Sequence, residues 1–148
     1  MHRVYPLFII FLILAVPLWS QNNTISTVDP LSFIGLRVDE LVSRFGPPRE
    51  VYASRGQEPW QDDVVFIYSD GEFYIYKERV WQAALKSARG ISVGDTKPAV
   101  ILSLGEGVVD QGEYILFSLP SVGWPMMLRV NFNSAGRVSA IFVYRSDY

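Results

Sequence analysis

The sequence predicts an α+β fold in which two tandem units, each a short helix followed by an antiparallel meander, form a sheet with both helices packed on one face. Two glycine-bounded segments with matching apolar spacing indicate the helices, and alternating runs after each of them indicate the strands. The chain has no cysteine, so a hydrophobic core without disulfides has to stabilise this fold.

The N-terminal segment is typical of a secretion signal. His2 and Arg3 precede an apolar run over residues 7–19, and Ser20 offers a small residue for cleavage. This run is shorter than the roughly 20 residues that a membrane-spanning helix needs. We therefore expect a signal peptide over 1–20 and a secreted or periplasmic protein, the alternative being an uncleaved N-terminal anchor.

A single domain is expected after the signal. Residues 21–30 read as a flexible tail, and residues 31–148 are long enough for one domain that buries about two thirds of its unfolded surface. Its repeat halves are expected at about 31–88 and 89–148. Each half begins a few residues before one of the two glycine-bounded segments.

Both glycine-bounded segments, residues 35–46 and 90–105, have the i, i+3, i+4, i+7 spacing of a helix that packs one face on a core. The two sets at these offsets are Val38, Leu41, Val42 and Phe45, and then Lys97, Val100, Ile101 and Leu104. Gly46 is a suitable C-terminal residue for the first helix, and Asp95 or Thr96 is a suitable N-cap for the second. Helices this short need a sheet to pack on.

Alternation of apolar and polar residues predicts the strands. They cover residues 64–68, 73–77, 80–85, 113–118, 126–132 and 138–145. The dipeptide Asp70-Gly71 lies between the first two and favours a hairpin turn with positive φ at both residues. Each helix is therefore expected to precede an antiparallel meander.

The residue types present exclude most catalytic chemistry. His2 is the only histidine, so the mature chain would have neither an imidazole base nor a thiol nucleophile, and it would lack the commonest metal ligands. Two carboxylate pairs, Asp62 with Asp63 and Glu106 with Asp110, leave a hydrolase as the remaining catalytic alternative. We expect these acids to be solvated, and we expect no enzyme activity, no cofactor and no metal.

The charge of the chain argues against nucleic acid as a partner. The chain has 13 Lys and Arg against 15 Asp and Glu, a formal net charge of −2. Binding to a phosphate backbone needs clustered basic side chains, and Arg44 and Arg49 are the nearest approach to a cluster. Membrane contact is expected only through the N-terminal segment if it is not cleaved, and the oligomeric state stays open.

Three stretches, residues 41–48, 90–96 and 132–138, carry a resemblance to known proteins. The repeated order of glycine, short helix, glycine and antiparallel strands resembles the tandem-repeat fold of the β-lactamase inhibitory proteins, whose single unit also resembles the outer-membrane assembly lipoprotein BamE. The resemblance covers most of residues 31–148. It implies a non-enzymatic protein that binds another protein through its sheet and loops.

This chain departs from both groups in one respect. The family inhibitors typically carry disulfides, and BamE is lipid-anchored through a cysteine, whereas this chain has no cysteine for either purpose. The resemblance therefore implies a fold and a kind of function, but it names no partner.

Five aromatic residues form the predicted partner-binding set: Trp60, Trp124, Tyr74, Tyr76 and Trp81. Trp60 and Trp124 fall in loops, and tryptophan and tyrosine are typical of interface hot spots. Tyr74 and Tyr76 alternate with apolar neighbours, which predicts that both lie on the sheet face away from the helices, with Trp81 nearby. The alternatives are indoles that close an edge of the core and tyrosines that only stabilise the sheet through cross-strand pairs.

These observations predict an exported, non-enzymatic module for protein binding or envelope assembly. The alternative is a carrier that holds a lipid or peptide between the helices and the sheet. A carrier requires an apolar cavity in that layer, whereas a protein-binding module requires an accessible aromatic surface.

Overall fold

The structure, a computed structural model, describes residues 29, 32–58, 62–120 and 123–148. The predicted signal peptide, nearly all of the predicted tail, and Trp60 lie outside these residues. The helices are α1 (Val38–Phe45) and α2 (Lys97–Leu104). The strands are β1 (Glu50–Ser54), β2 (Asp63–Tyr68), β3 (Gly71–Tyr76), β4 (Arg79–Leu85), β5 (Ser87–Ala88), β6 (Ile91–Ser92), β7 (Val108–Asp110), β8 (Tyr114–Leu119), β9 (Met126–Phe132) and β10 (Val138–Arg145).

The predicted α+β arrangement of two helix-plus-meander units is wrong. The described residues form mainly antiparallel sheet: eight strands join in the order β1-β2-β3-β4-β10-β9-β8-β7, and each helix has only 8 residues. The halves of the chain do not form separate units because β4 and β10 pair directly, with Leu85 opposite Ile141 and Gln82 opposite Tyr144. The backbone hydrogen bonds of the sheet therefore run without a boundary from one half of the chain to the other.

Two edge strands were not predicted. In β1, four of the five residues are exposed, and β7 has only 3 residues. A strand with no buried side chains shows no apolar alternation, so sequence pattern gives no signal for it. The six predicted strands, in contrast, all contain buried side chains and are present: β9 and β10 have the predicted ends, and the ends of the other four differ by at most two residues.

The hydrophobic core lies on one face of the sheet. Phe73 and Ile75 of β3 project to this side, together with Leu128 of β9 and Ile141 of β10, and all four are buried. The helices contribute Leu41 and Val100 to the same cluster of buried residues. The short β5–β6 hairpin adds Ala88 and Ile91 to it. Apolar burial on this single side of the sheet is the main stabilising contribution.

Helix α1 follows the predicted stripe at three of its four positions, because Val42 is only partly buried and lies outside the core cluster. Leu41 is fully buried, and Val38 and Phe45 pack against the core. The Glu40 carboxylate accepts a hydrogen bond of 2.7 Å from the backbone N–H of Arg37, which satisfies one of the amides at the start of the helix. The helix ends at Gly46, where φ is +79°.

Helix α2 follows its predicted stripe only in part. Val100 is buried and Leu104 packs against the core, but Ile101 is exposed and Leu102 is 85% exposed. Thr96 is the N-cap residue, whereas the Asp95 carboxylate accepts a hydrogen bond from the backbone N–H of Ser92. A helix of two turns with one buried residue presents most of its apolar side chains to solvent.

The β2–β3 hairpin turn lies one residue earlier than Asp70-Gly71 predicted. Gly71 already pairs with Tyr68, so the turn consists of Ser69 and Asp70. Gly71 is required there for a different reason, because a Cβ on this residue would lie 2.5 Å from the backbone oxygen of Ala84. Positive φ angles occur instead in the next turn, between β3 and β4.

Among the described residues, no helix combines the length and the apolar character needed to cross a membrane.

Candidate functional site on the open sheet face

The face of the sheet that points away from the core is called the open face here. Directly paired residues of antiparallel strands project to the same side, so the strand register identifies its members. They include Glu50, Tyr52, Asp63, Val65, Ile67, Glu72, Tyr74, Tyr76, Trp81, Gln82, Ala84, Tyr114, Leu116, Ser118, Met127, Arg129, Asn131, Ala140, Phe142 and Tyr144. The helices and the β5–β6 hairpin lie on the other side, where their buried residues join the core.

The structure places Tyr74 and Tyr76 on the open face, opposite to the buried Phe73 and Ile75 of the same strand. Both tyrosines are half-buried. The same alternation occurs in β10, where Ile141 and Val143 are buried and Phe142 and Tyr144 lie on the open face. The sequence analysis did not identify Phe142 and Tyr144, although they alternate with apolar residues in the same way as Tyr74 and Tyr76.

Two tyrosines converge on one carboxylate. The hydroxyls of Tyr52 and Tyr74 each donate a hydrogen bond of 3.2 Å to Oε2 of Glu72. Val65 lies between these tyrosines in the register and is fully buried, although it points away from the core. Burial and the nearby Glu72 charge raise the pKa of Tyr74 far above 10.0, and the same two causes raise the pKa of Tyr52.

Trp81 reaches the open face through an irregularity in the sheet. The β3–β4 register shifts between Tyr74 and Ile75, which leaves Trp81 as the extra residue of a bulge. Its indole Nε1 donates a hydrogen bond of 2.9 Å to Oδ1 of Asp63. Burial raises the pKa of Asp63, the hydrogen bond from Trp81 lowers it, and the charge of Asp62 raises it further.

A cluster of aromatic rings and one guanidinium connects three of the predicted residues. The ring of Tyr148 lies 5.7 Å from Tyr76 and 6.1 Å from Trp81, measured between centroids. The Arg145 guanidinium lies 4.5 Å from the centroid of Tyr148 and 4.4 Å from that of Trp124. Tyr76, Trp81 and Trp124 thus belong to one set of contacts, and sequence spacing gave no sign that Arg145 and Tyr148 would join them.

Trp124 itself closes an edge of the core, which is one of the alternatives that the sequence left open. It is partly buried and packs against the buried cluster. Its indole also lies over Gly35, where an added Cβ would be 2.3 Å from the ring atom Cζ2. Trp60, the other predicted loop tryptophan, lies outside the described residues.

Two grooves open on the open face. The first has a volume of about 560 Å³ and is lined by Trp81, Gln82, Arg129, Asn131, Phe142, Tyr144, Arg145, Ser146 and Tyr148. The second, of about 540 Å³, is lined by Ile67, Glu72, Tyr74 and Ala84 among others. Phe142 borders both grooves, so together they extend across the strands in the middle of the sheet.

Three of the four carboxylates considered for catalysis are engaged in other contacts: Asp63 with Trp81, as described above, and Asp62 and Asp110 with basic side chains. Asp62 accepts a hydrogen bond of 2.8 Å from Arg55, and Asp110 accepts one of 2.7 Å from Lys97, which lowers the pKa of Asp110. Within the described part of the chain, no group of three or more Asp, Glu, His or Cys residues is arranged to hold a metal ion. The open face therefore offers aromatic and polar contacts, and no described group of acids is arranged for metal chemistry.

Comparisons with known proteins bear on the fold alone. No family model matches this chain, and no curated protein matches it. Its structure is similar to that of an extracellular protein containing a SCP domain from Bacillus anthracis str. Ames, with a TM-score of 0.52 and 13% sequence identity. The match covers 89% of this chain and 50% of that protein, so this chain spans half of its length. The resemblance to the β-lactamase inhibitory proteins and BamE stays a prediction, because this neighbour does not bear on it.

Proposed function

We propose that this protein is an exported, non-enzymatic module that binds another protein through its open face. One observation carries the proposal: Tyr74, Tyr76, Trp81, Phe142 and Tyr144 all lie half-buried on the side of the sheet that the described helices leave uncovered. A sheet whose function is only structural would normally present small or charged residues to water.

The size and composition of the open face suit a protein partner. Eight strands spaced about 4.8 Å apart give a face roughly 35 Å wide, enough for the approximately 800 Å² per partner that stable interfaces bury. Tyrosine and tryptophan bury a large area and fix few rotatable bonds, which is why they dominate interface energetics. Gln82, Arg129 and Asn131 supply polar groups beside them.

The proposed location is the cell exterior or periplasm. The predicted signal peptide supports export, and so does the similarity of the fold to a protein described as extracellular. A role in envelope assembly is the finer form of this proposal and rests on the resemblance to BamE.

No specific observation favours the alternative carrier function. A carrier would hold its lipid or peptide between the helices and the sheet, and that layer contains the buried side chains Phe33, Leu41, Phe73 and Val100. The first groove opens on the other side of the sheet, and the second is lined there by Ile67, Glu72 and Tyr74 but also by the core residues Tyr68, Leu85 and Ile141.

Affinity capture tests the proposal. The purified chain from residue 21 onward is immobilised and exposed to an envelope extract and to culture supernatant of the source organism. Tyr144→Lys places a charge at the centre of the open face, and we expect it to remove the captured protein. Leu102→Lys is the matched control, because Leu102 is 85% exposed on the opposite side of the molecule. Equal capture by the wild type and Tyr144→Lys, with unchanged melting temperatures, would contradict binding through this face.

A further inference from the structure

Arg129 is a positive charge at the open face that no described acid neutralises. Its side chain is half-buried in the first groove, where Nε donates a hydrogen bond of 2.8 Å to Oδ1 of Asn131. Its guanidinium carbon lies 4.0 Å from the ring centroid of Tyr114. Among the residues that the structure describes, none forms an ion pair with Arg129.

The other guanidinium of the groove differs in this respect. Arg145 donates to both carboxylate oxygens of Asp147, over 3.0 Å from Nε and 2.7 Å from Nη2. That pair carries no net charge. Among the described residues that line the groove, Arg129 is therefore the one positive charge without an acidic partner.

The geometry of Arg129 selects a carboxylate. The orientation of the guanidinium is fixed because Nε donates to Asn131 and the planar group lies over the ring of Tyr114. Its terminal nitrogens form no hydrogen bond or ion pair with any residue that the structure describes. A guanidinium matches a carboxylate or a phosphate in a planar, two-bond arrangement. One uncompensated charge balances a carboxylate, whereas a phosphate monoester brings about two negative charges. The aromatic walls from Trp81 and Tyr144 reduce solvent screening and strengthen such a pair.

The acids of the open face indicate how a partner would be oriented. The three strands at one end of the sheet each carry one of these acids: Glu50 on β1, Asp63 on β2 and Glu72 on β3. Arg129 lies on β9, toward the other end of the sheet. An acidic group approaching the face is repelled from the first three strands and attracted to β9. These acids therefore favour placement of an acidic partner group at β9, although the basic residues Arg49 and Lys86 also line the second groove.

We propose that Arg129 determines the specificity of the open face by pairing with the side-chain carboxylate of an Asp or Glu residue of the protein partner. This inference rests on the proposed function and deepens it. The partner residues that flank this acid pack against the aromatic walls of the groove. Arg129 is thus a binding residue that selects partners with an acidic residue at one position.

Selection from a library of random 12-residue displayed peptides tests the proposal without knowledge of the natural partner. Wild type, Arg129→Gln and Arg129→Lys are each immobilised as the chain from residue 21 onward. We expect the wild type to enrich peptides with Asp or Glu at one fixed position, and Arg129→Gln to enrich peptides without it. Arg129→Lys keeps the charge and is expected to retain a weaker preference, because lysine lacks the planar fork.

A synthetic copy of the most enriched peptide gives the quantitative readout. Changing its acid to the matching amide is expected to weaken binding to the wild type at least about tenfold, and to change binding to Arg129→Gln little. Equal loss with both proteins would overturn the pairing. Leu102→Lys serves as the control for unchanged peptide selection, and circular dichroism checks that the Arg129 variants fold.

The remaining outcomes separate the two proposals. Enriched peptides that bind the open face, lose binding with Tyr144→Lys and contain no fixed acid would overturn the inference and leave protein binding intact. A complementary titration follows the Arg129 Nε–Hε resonance with N-acetylglutamate and N-acetylglutamine, both as α-carboxamides so that only the side chains differ in charge, and with N-acetylneuraminic acid. A response to the acidic sugar alone would assign the groove to a glycan and overturn the protein carboxylate. No enriched peptide and no response to N-acetylglutamate would overturn the inference, while capture from extracts still tests the proposed function.

Discussion

The indole Nε1 of Trp81 donates a hydrogen bond of 2.9 Å to Oδ1 of Asp63, and this bond joins β4 to β2 across the open-face side of β3. The bond connects the bulge residue Trp81 to the half-buried carboxylate of Asp63. Burial removes water from this carboxylate, and the hydrogen bond compensates for that loss. The position of the Trp81 ring, and therefore one wall of the first groove, depends on this contact.

Replacing Trp81 by Phe removes the hydrogen bond and keeps an aromatic ring. Burial already raises the pKa of Asp63 and the bond from Trp81 opposes that rise, so the substitution is expected to raise the pKa further. The lost bond should lower the free energy of unfolding by about 1 kcal/mol at neutral pH. A carbon-detected NMR titration of the Asp63 carboxyl group measures the shift. An identical titration curve in Trp81→Phe would show that the bond has no role in solution.

The same carboxylate predicts a pH dependence of stability. Because the pKa of Asp63 is higher in the fold than its ordinary 3.8, the folded chain binds the proton more readily than the unfolded chain does. The contribution of this group is therefore present at low pH and is lost as the pH rises through the raised folded value. Thermal melts of the wild type and Asp63→Asn between pH 3 and pH 7 measure it. The difference in stability between them should change with pH in that direction, and a constant difference would refute the linkage.

Gly35→Ala is expected to be strongly destabilising, because two costs combine at this residue. Its φ of +89° is strained for alanine, and the new Cβ would lie 2.3 Å from Cζ2 of Trp124. We expect a loss of about 2 kcal/mol or more in chemical denaturation. Gly136→Ala is the matched control, since its φ is +67° and an added Cβ meets nothing within 4 Å. A comparable loss in both variants would mean that the backbone alone, and not the Trp124 contact, determines the cost.

Local pattern was sufficient to predict much of the open face. The alternation of Phe73 and Ile75 with Tyr74 and Tyr76 placed the two tyrosines on the side away from the helices, because side chains of a strand alternate with a period of two. The strand runs were also found in this way. These features depend only on residues that are neighbours in the chain.

The pairing of distant strands could not be predicted, and this is why the fold class was wrong. Nothing near Leu85 in the sequence indicates that it lies opposite Ile141, although this pairing makes one sheet from both halves of the chain. The groove depends on the same long-range register, which brings Arg129 of β9 near Trp81 of β4. An arginine without an acidic partner is a property of the assembled sheet and has no sequence signature.

Asp147→Asn is expected to tighten the binding of acidic peptides at the open face. The Asp147 carboxylate neutralises Arg145, and the hydrogen bond from that guanidinium lowers the pKa of Asp147. Removing the carboxylate leaves a second positive charge among the residues that line the first groove. Isothermal titration of the selected acidic peptide, at low and high salt, measures the gain, which should shrink as salt increases. Unchanged affinity at low salt would show that Arg145 does not contribute to the potential in the groove.

Glu72→Gln tests the contact between the two tyrosines and their shared carboxylate. Burial is the largest cause of the raised pKa of Tyr74 and Tyr52, and the charge of Glu72 adds to it. Removing that charge should lower the pKa of both tyrosines, while burial continues to oppose their ionisation. Absorbance of tyrosinate near 295 nm during an alkaline titration follows the change. Glu106→Gln, which removes an exposed acid between α2 and β7 with no tyrosine beside it in the sequence, should leave the curve unaltered. If Glu72→Gln also leaves it unaltered, the two hydroxyls do not share this carboxylate in solution.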